Sequence, residues 1–472
     1  MRPRVVLYNP RAVFWTMPLA LVAVGSALAR SKFEVVIVDG RLEPDPVRSL
    51  LRHLGDDAVC LGITVLTGAP IRDALAVSRA IKGLRPSLPI IWGGWHPSLF
   101  PAQCLSEPSI DAVVIGQGEV TFAETVERLA CGRPLDGVAG CAYRLGAETP
   151  FVNPPRPLRD IQELPEHDYK LADIEQYFQR KGRRQFDYVS SQGCRFRCSF
   201  CADPNLYKRG WYGLASERVA RELVSHHRTY RFEEVSFQDE TFFTSPERVG
   251  AIAEAFLTHG LEAQWTATMR SDQGTRLDDR VLALCRQSGL KRVMIGVESG
   301  SPETLRRIRK DISIAQIFDS AAKCAHHGIG AILNFIVGFP GESDESVRQT
   351  LDLAAQLRAM SPDFEVSIFY FRPYPGTQVA EELVRDGYRF AETLEAWADF
   401  DYVRGREEWV TDERWKQVER FKFYQRYAFG RDRALLRRPL RAVSRWRIHR
   451  RWYGFPVEKM ILDMMRPAQR QS

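Results

Sequence analysis

The 472-residue chain has no paired cysteine spacing of the kind that builds disulfide-stapled domains. Six of its nine cysteines, Cys60, Cys104, Cys131, Cys141, Cys285 and Cys324, are scattered singly. An odd total without a repeated spacing argues against a disulfide framework and for a reducing compartment. A long uninterrupted apolar run is also missing. Residues 12–29 come nearest: they follow Arg2, Arg4 and Arg11, end in Ala27-Leu28-Ala29, and imitate a secretory leader. Pro18 breaks that run, and β-rich stretches flank it at Val5–Tyr8 and Glu34–Gly40. Strand–helix–strand is therefore the expectation, and a cytoplasmic location goes with it. No Gly-x-Gly-x-x-Gly opens a helix after the first strand, which removes the dinucleotide fingerprint. Nor is the chain basic throughout. Arg431–Arg451 alone holds nine arginines against one aspartate, more than the whole net charge of +7.

What is present decides more. A chain of this length predicts roughly three domains at about 150 residues each, and its 44% apolar fraction is ordinary for a globular protein. The sequence Cys194-Arg195-Phe196-Arg197-Cys198-Ser199-Phe200-Cys201 sets three cysteines at C-x3-C-x2-C, directly after the run Tyr188-Val189-Ser190-Ser191. Closed zinc and iron–sulfur sites normally use four protein ligands. Three on one short loop leave a metal position open for a small molecule. A structural zinc knuckle, completed by a distant Cys or His, is the competing reading. The flanking pattern Gly193…Cys194-x-Phe196-x-Cys198-x-Phe200-Cys201 resembles the radical S-adenosylmethionine (SAM) enzymes. That resemblance implies a [4Fe–4S] cluster on Cys194, Cys198 and Cys201. Its open iron would chelate SAM, and an electron from a donor such as flavodoxin or ferredoxin would cleave SAM to a 5′-deoxyadenosyl radical.

The N-terminal third alternates strand and helix patterns. Strands are predicted at 5–9, 34–39, 58–65, 89–94 and 111–116, and their continuous Val/Ile-rich runs mark a parallel sheet buried on both faces. Unusual residues gather at the strand C-termini, in Asn9-Pro10, Thr64 to Gly68, Gly93-Gly94-Trp95-His96-Pro97 and Gly116-Gln117-Gly118-Glu119. Ligands of open α/β sheets bind at that edge. Preceding the cysteine motif, this third resembles a flavodoxin-like, Rossmann-type cobalamin-binding domain, which implies corrin contacts from Thr64, Thr67, Gly93, Gly94, Gly116, Gly118 and Glu119. The family's Asp-x-His-x-x-Gly loop is absent after the first strand, where Asn9-Pro10-Arg11-Ala12-Val13-Phe14 stands instead. The expected cobalamin therefore has no histidine lower ligand. His96, the only histidine on a candidate binding loop, reads as a loop-packing residue. A degenerate nucleotide-binding or purely structural α/β domain is the competing reading.

Prolines at 150, 154, 155, 157 and 165 mark a linker, so the expected division is 1–147, a linker over 148–180, a barrel over 181–385, and a helical region over 386–472. Strands predicted at 186–190, 233–238, 263–268, 292–297, 331–337 and 365–371 give six βα units, a partial (β/α)6 TIM-type barrel in the resemblance. Two carboxylates, Asp239 and Glu240, end the second of these strands. Arg270 lies in Trp265-Thr266-Ala267-Thr268-Met269-Arg270, Glu298 in Gly296-Val297-Glu298-Ser299-Gly300, and Asn334 precedes Gly338-Phe339-Pro340-Gly341-Glu342. The resemblance implies that Asp239 or Glu240 accepts the SAM ammonium, that Arg270 and Glu298 contact SAM, and that Asn334 lies near the adenosine. Glycines beside Glu298 are expected to let the cofactor approach. The run Phe369-Tyr370-Phe371 reads by default as packing.

The order of parts resembles the cobalamin-dependent radical SAM enzymes, both the class B methyltransferases and the anaerobic magnesium-protoporphyrin monomethyl ester cyclase. Methylation of an unactivated carbon on a small-molecule, lipid or tetrapyrrole substrate is the leading expectation, with oxidative cyclisation second and a non-catalytic corrinoid sensor third. A methylthiotransferase would need a second three-cysteine cluster, and the remaining cysteines are too scattered to supply one. In the Arg-rich segment, Leu435, Leu436, Leu440, Val443, Trp446 and Ile448 interleave with the arginines, as in interfacial helices at an anionic membrane face. A solvated face or partner contact is the plain alternative. No RNA-binding module is recognisable, which disfavours nucleic acid.

Overall fold

The computed structural model describes residues 2–29, 31–145, 149–401, 405–430 and 438–465. Part of the Arg-rich segment, with Arg431, Arg433 and Arg437, therefore lies outside the described residues, as do Leu435 and Leu436. The chain divides into two compact units, Met1–Phe242 with Glu247–Ala267 and Pro373–Tyr402, and Phe243–Pro246 with Thr268–Arg372 and Val403–Ser472.

The first unit begins with β1 (Arg4–Asn9), β2 (Glu34–Asp39), β3 (Ala58–Thr64), β4 (Ile90–Gly93), β5 (Ala112–Val114), β6 (Cys141–Leu145) and β7 (Thr149–Val152). They form one sheet in the order β2-β1-β3-β4-β5-β6-β7. The first five run parallel, and β6 and β7 add antiparallel. Order 2-1-3-4-5 is the flavodoxin-like winding, with its reversal between β1 and β3. Alternation along β1 explains the two cores. Val6 and Tyr8 face helices Pro46–His53 and Ala69–Leu84 through Leu50, Ile71 and Leu75. Val5 and Leu7 face helices Leu19–Ala27 and Gly118–Ala130 through Leu21, Phe122 and Val126. The leader-like run is thus a nine-residue helix between two strands. β7 is an extra strand inside the Pro-rich stretch; it sits at the sheet edge, where Pro150 removes no ladder bond that an inner strand would need.

The same unit holds β8 (Gln185–Tyr188), β9 (Ser191–Gly193), β10 (Trp211–Gly213), β11 (Glu234–Phe237) and β12 (Gln264–Arg270), the last running on into the second unit. β8, β11 and β12 are parallel neighbours, whereas β9 and β10 form an antiparallel pair. In the second unit, β13 (Leu290–Glu298), β14 (Gly330–Val337) and β15 (Phe364–Tyr370) are parallel and connected by helices Ile314–His326 and Asp344–Met360. Helices Asp412–Ala428, Arg438–Arg450 and Val457–Met465 follow. Among the described residues no helix is long and apolar enough to cross a membrane.

Candidate functional site: a glycine-edged cavity beside the cysteine loop

A cavity of about 510 Å³ opens at the carboxyl edge of β1, β3, β4 and β5. Thr64, Gly93, Gly94, Gly116, Gly118 and Glu119 all line it. Its walls extend to Leu7, Gly62, Ile91 and Phe122, so one side is apolar. Gly62 keeps that side clear, because a Cβ there would lie 2.9 Å from Leu7 and 3.0 Å from Phe122. Gly94 (φ +98°) and Gly116 (φ +76°) adopt left-handed backbone that a side chain disfavours. A Cβ on Gly116 would meet nothing within 4 Å, which leaves the loop surface bare for a broad planar group. Glu119 is buried at the start of helix Gly118–Ala130; burial raises its pKa, opposed by amide donors at the helix start. Such an edge fits a corrin.

Thr67 is placed differently from the expectation. It does not line the cavity; its hydroxyl lies 3.3 Å from His96 Nδ1 in the interior. His96 packs 5.2 Å from Phe100 and 5.6 Å from Trp397, and burial depresses its pKa to about 4. It is a neutral packing histidine. Another histidine, His167, does line the cavity, and its pKa is also held near 4 by burial.

The cysteine loop belongs to the same unit. Gln117 Nε2 donates to Gln192 Oε1 at 2.7 Å, tying the loop after β5 to β9. β9 turns into the loop at Gly193 (φ +92°), whose Cβ position is filled by the carbonyl of Gly210, the residue before β10. Any side chain at 193 would push β9 and β10 apart. Cys198 is buried, and Cys194 and Cys201 are half-buried. Cys201 N donates to the Cys198 carbonyl, and burial, then Asp203, hold the Cys201 thiol well above its ordinary pKa. Among the described residues no three Cys, His, Asp or Glu side chains converge on a single ion position. A cubane asks for less convergence, because each thiolate binds its own iron corner, and a buried, thiol-only loop is its usual donor set. Among the described residues the buried Ser199 hydroxyl, between Cys198 and Cys201 in sequence, has no hydrogen-bond partner.

The two carboxylates after β11 diverge. Asp239 is buried and accepts from Ser190 N (2.7 Å), Ser190 Oγ (2.7 Å) and Ser191 Oγ (2.6 Å), so it braces the approach to the cysteine loop. Glu240 is the one that lines the cavity. It accepts from Gly193 N at 3.1 Å and Tyr207 OH at 2.8 Å. Burial, and secondarily Asp203, push its pKa up to about 7.

In the second unit, Arg270 and Glu298 are brought into one network by a residue that sequence reasoning missed, Lys310. Lys310 Nζ lies 2.6 Å from Glu298 Oε1, both side chains about nine-tenths buried. The Lys310 carbonyl accepts from Arg270 Nη2, while Arg270 Nε bonds Asp272 at 2.9 Å. Glu298 itself adopts φ +65°, unusual for a residue with a side chain. A Cβ at Gly296 would lie 2.6 Å from Glu298 Oε1 and 2.9 Å from Lys310 Nζ. The glycine therefore leaves room for this ion pair. Asn334 sits within β14, opposite Gly296, and not at the strand end. Glu342 Oε2 accepts from Gly338 N at 2.6 Å, and the Gly338 carbonyl accepts from Trp409. Tyr370 and Phe371 are buried, as aromatic packing requires, while Phe369 stays 38% exposed.

Residues 188–354 match the radical SAM superfamily model and residues 11–126 the B12 binding domain model. The chain is 30% identical to an uncharacterized methyltransferase of Pyrococcus horikoshii, over 85% of this chain and 86% of that protein. It is 25% identical to the anaerobic magnesium-protoporphyrin IX monomethyl ester cyclase of Synechocystis sp., over 76% and 71%. The radical SAM methyltransferase TsrM from Kitasatospora setae, solved with cobalamin and a [4Fe–4S] cluster bound, shares the fold at TM-score 0.70 and 19% identity, over 82% of this chain and 75% of that one. With both models matched in this order, and a methyltransferase relative spanning most of both chains, this protein belongs to the cobalamin-dependent radical SAM methyltransferase family, whose cofactors are a [4Fe–4S] cluster, SAM and cobalamin.

Proposed function

We propose that this chain methylates an unactivated carbon of a small molecule, with a lipid or a tetrapyrrole as the substrate classes that suit its basic, aromatic C-terminal region. When bound, the cluster and SAM supply a 5′-deoxyadenosyl radical and cobalamin supplies the methyl group; the protein's part is to hold, orient and shield them. The observation that carries this reading is the glycine-edged cavity sharing one compact unit with the cysteine loop. Cys194, Cys198 and Cys201 hold the cluster. Thr64, Gly93, Gly94, Gly116, Gly118 and Glu119 take the corrin, and the apolar wall formed by Leu7, Ile91 and Phe122 keeps water from it. Glu240 is poised to hold or release a proton near neutral pH at the cavity wall. Arg270, Glu298 and Asn334 serve SAM, with Lys310 fixing the Glu298 carboxylate. Electrons come from an external donor of the flavodoxin or ferredoxin kind. The cobalamin domain runs from residue 1 through β7 at Val152, where the expected boundary of 147 would cut the β6–β7 pair. The linker follows to 180 and the radical SAM core spans 181–385. Of the C-terminal region 386–472, the part to 402 packs on the first unit and the remainder associates peripherally with a membrane.

The cyclase relative supports oxidative cyclisation as the second reading. One assay separates the two. The protein is reconstituted anaerobically with iron, sulfide and cobalamin, then given SAM and a strong reductant. Methyl transfer yields 5′-deoxyadenosine together with S-adenosylhomocysteine, whereas cyclisation yields deoxyadenosine without S-adenosylhomocysteine. Cys198→Ala is expected to lose both cluster iron and SAM cleavage. A full cluster in that variant refutes the triad.

A further inference from the structure

Six large apolar side chains stand exposed within sixteen residues near the C-terminus: Trp446 (50%), Trp452 (44%), Phe455 (82%), Val457 (53%), Met460 (59%) and Ile461 (47%). They sit on the end of helix Arg438–Arg450, the following turn and the start of helix Val457–Met465. Scattered exposed apolar residues are normal, whereas a contiguous set marks a docking surface.

The turn that presents them is built, not loose. The Arg447 guanidinium is buried and donates to the carbonyls of Gly454 (2.8 Å) and Phe455 (2.9 Å) and to Glu458 at 2.8 Å. It also stacks over Trp452 at 4.4 Å. Tyr424 from helix Asp412–Ala428 donates to the same Glu458 carboxylate, and Arg420 holds the Tyr453 carbonyl at 3.0 Å. Phe455 is held at φ +43° with its ring outward. A left-handed aromatic residue, exposed and fixed by a buried arginine, is strain retained for a use.

The rim decides the occupant. Residues 438–462 contain seven arginines and lysines and one acid, Glu458, which Arg447 already engages. Arg445, Arg450 and Arg451 are exposed toward the end of helix Arg438–Arg450 that leads into the turn, and Arg451 Nε pairs with Asp352 at 2.9 Å. Exposed tryptophans, Phe and aliphatics together with a surplus of arginine are the composition that sits in the headgroup layer of an anionic bilayer. We propose that the turn 452–461 is an apolar wedge that inserts into the surface of an anionic membrane, with the arginines of helix Arg438–Arg450 contacting lipid headgroups. This deepens the reading of the C-terminal region as membrane-associated; it moves the anchoring element from the arginine run to the turn beyond it, and it is independent of the chemistry proposed for the cofactors.

The test uses the full-length, cofactor-reconstituted protein. It is sedimented with vesicles of equal parts phosphatidylglycerol and phosphatidylcholine, and with vesicles of phosphatidylcholine alone. Binding is expected to the anionic vesicles, to weaken with salt, and to fall about tenfold or more in Phe455→Ser/Met460→Ser. Both changed side chains are exposed, so the melting temperature should hold. Brominated acyl chains should also quench tryptophan fluorescence in the parent protein. Failure to sediment, equal binding of parent and variant, or absent quenching overturns the proposal. So does a dimer of the free protein that the double variant disperses, which would make the patch a self-association surface. SAM cleavage measured without vesicles reports separately on the cofactor reading.

Discussion

Replacing Lys310 by Met tests whether Glu298 is held by one buried cation. In the parent, Nζ and Oε1 are 2.6 Å apart, and the two side chains are 6% and 10% exposed. Met keeps the length of the apolar stem and removes the charge, so packing changes little while Glu298 is left without its counter-ion. Breaking a buried pair from one side typically costs about 3–5 kcal/mol, because an uncompensated charge remains. Among the described residues Glu298 Oε1 has no other donor, so relief comes from water reaching a site one-tenth exposed. The lower end of that range, about 3 kcal/mol, is the expectation. The backbone works the other way: Glu298 at φ +65° carries roughly 1–2 kcal/mol of left-handed strain, and any relaxation after the pair is lost subtracts from that cost.

The assay is a double-mutant cycle in urea with Glu298→Gln as the second change. Lys310→Met alone is expected to lower the unfolding free energy of the second unit by about 3 kcal/mol. The double variant should recover much of the loss, because removing both charges leaves no buried ion unpaired. A coupling energy above about 1.5 kcal/mol is therefore expected. Additivity of the two changes within about 0.5 kcal/mol, or no loss in Lys310→Met, refutes the claim that Lys310 positions Glu298.

Glu240→Gln is expected to flatten a slope in stability. The Glu240 pKa of about 7 in the fold exceeds its ordinary value near 4.5, so the folded state binds the extra proton, and stability is full below pH 4.5 and falls as pH rises to 7. The ceiling is about 3 kcal/mol, read from thermal melts of the cofactor-free protein across that window; a parent profile identical to that of Glu240→Gln sinks the assignment. Gly193→Ala should cost at least about 2 kcal/mol and lower cluster iron, since its Cβ would displace the Gly210 carbonyl. Wild-type iron content in a folded Gly193→Ala protein contradicts that geometry.

The fold was legible because its signal is period and punctuation. Five Val/Ile-rich runs, ended by Asn-Pro or by glycine-bearing loops, become β1 to β5 within one or two residues, since burial on both faces leaves a strand little alternative. β6 and β7 were not legible: an antiparallel addition at a sheet edge needs no long apolar run, and Pro150 reads locally as a stop. The short β9–β10 pair escaped for a similar reason. Its specificity lies in the close approach of Gly193 to Gly210, two residues distant in sequence that carry no side-chain pattern.

The site divides along a different line. Sequence places a residue at a strand end, but adjacent residues at that end point opposite ways, so Asp239 and Glu240 could not be told apart by position. Their partners separate them: three donors from Ser190 and Ser191 claim Asp239, which leaves Glu240 for the cavity wall. Thr67 follows the same logic, because its loop faces the cavity while its hydroxyl faces His96. Lys310 lay outside any inference from spacing. It reaches Glu298 across twelve residues, from a turn in which Arg309 and Asp311 both have positive φ. The space beside Gly296 holds the ends of both the Glu298 and Lys310 side chains, a pairing no spacing in the sequence announces. Residues that touch a cofactor leave a motif, because the cofactor's shape is fixed. Residues that hold those residues answer only to the local chain, and finding them requires its coordinates.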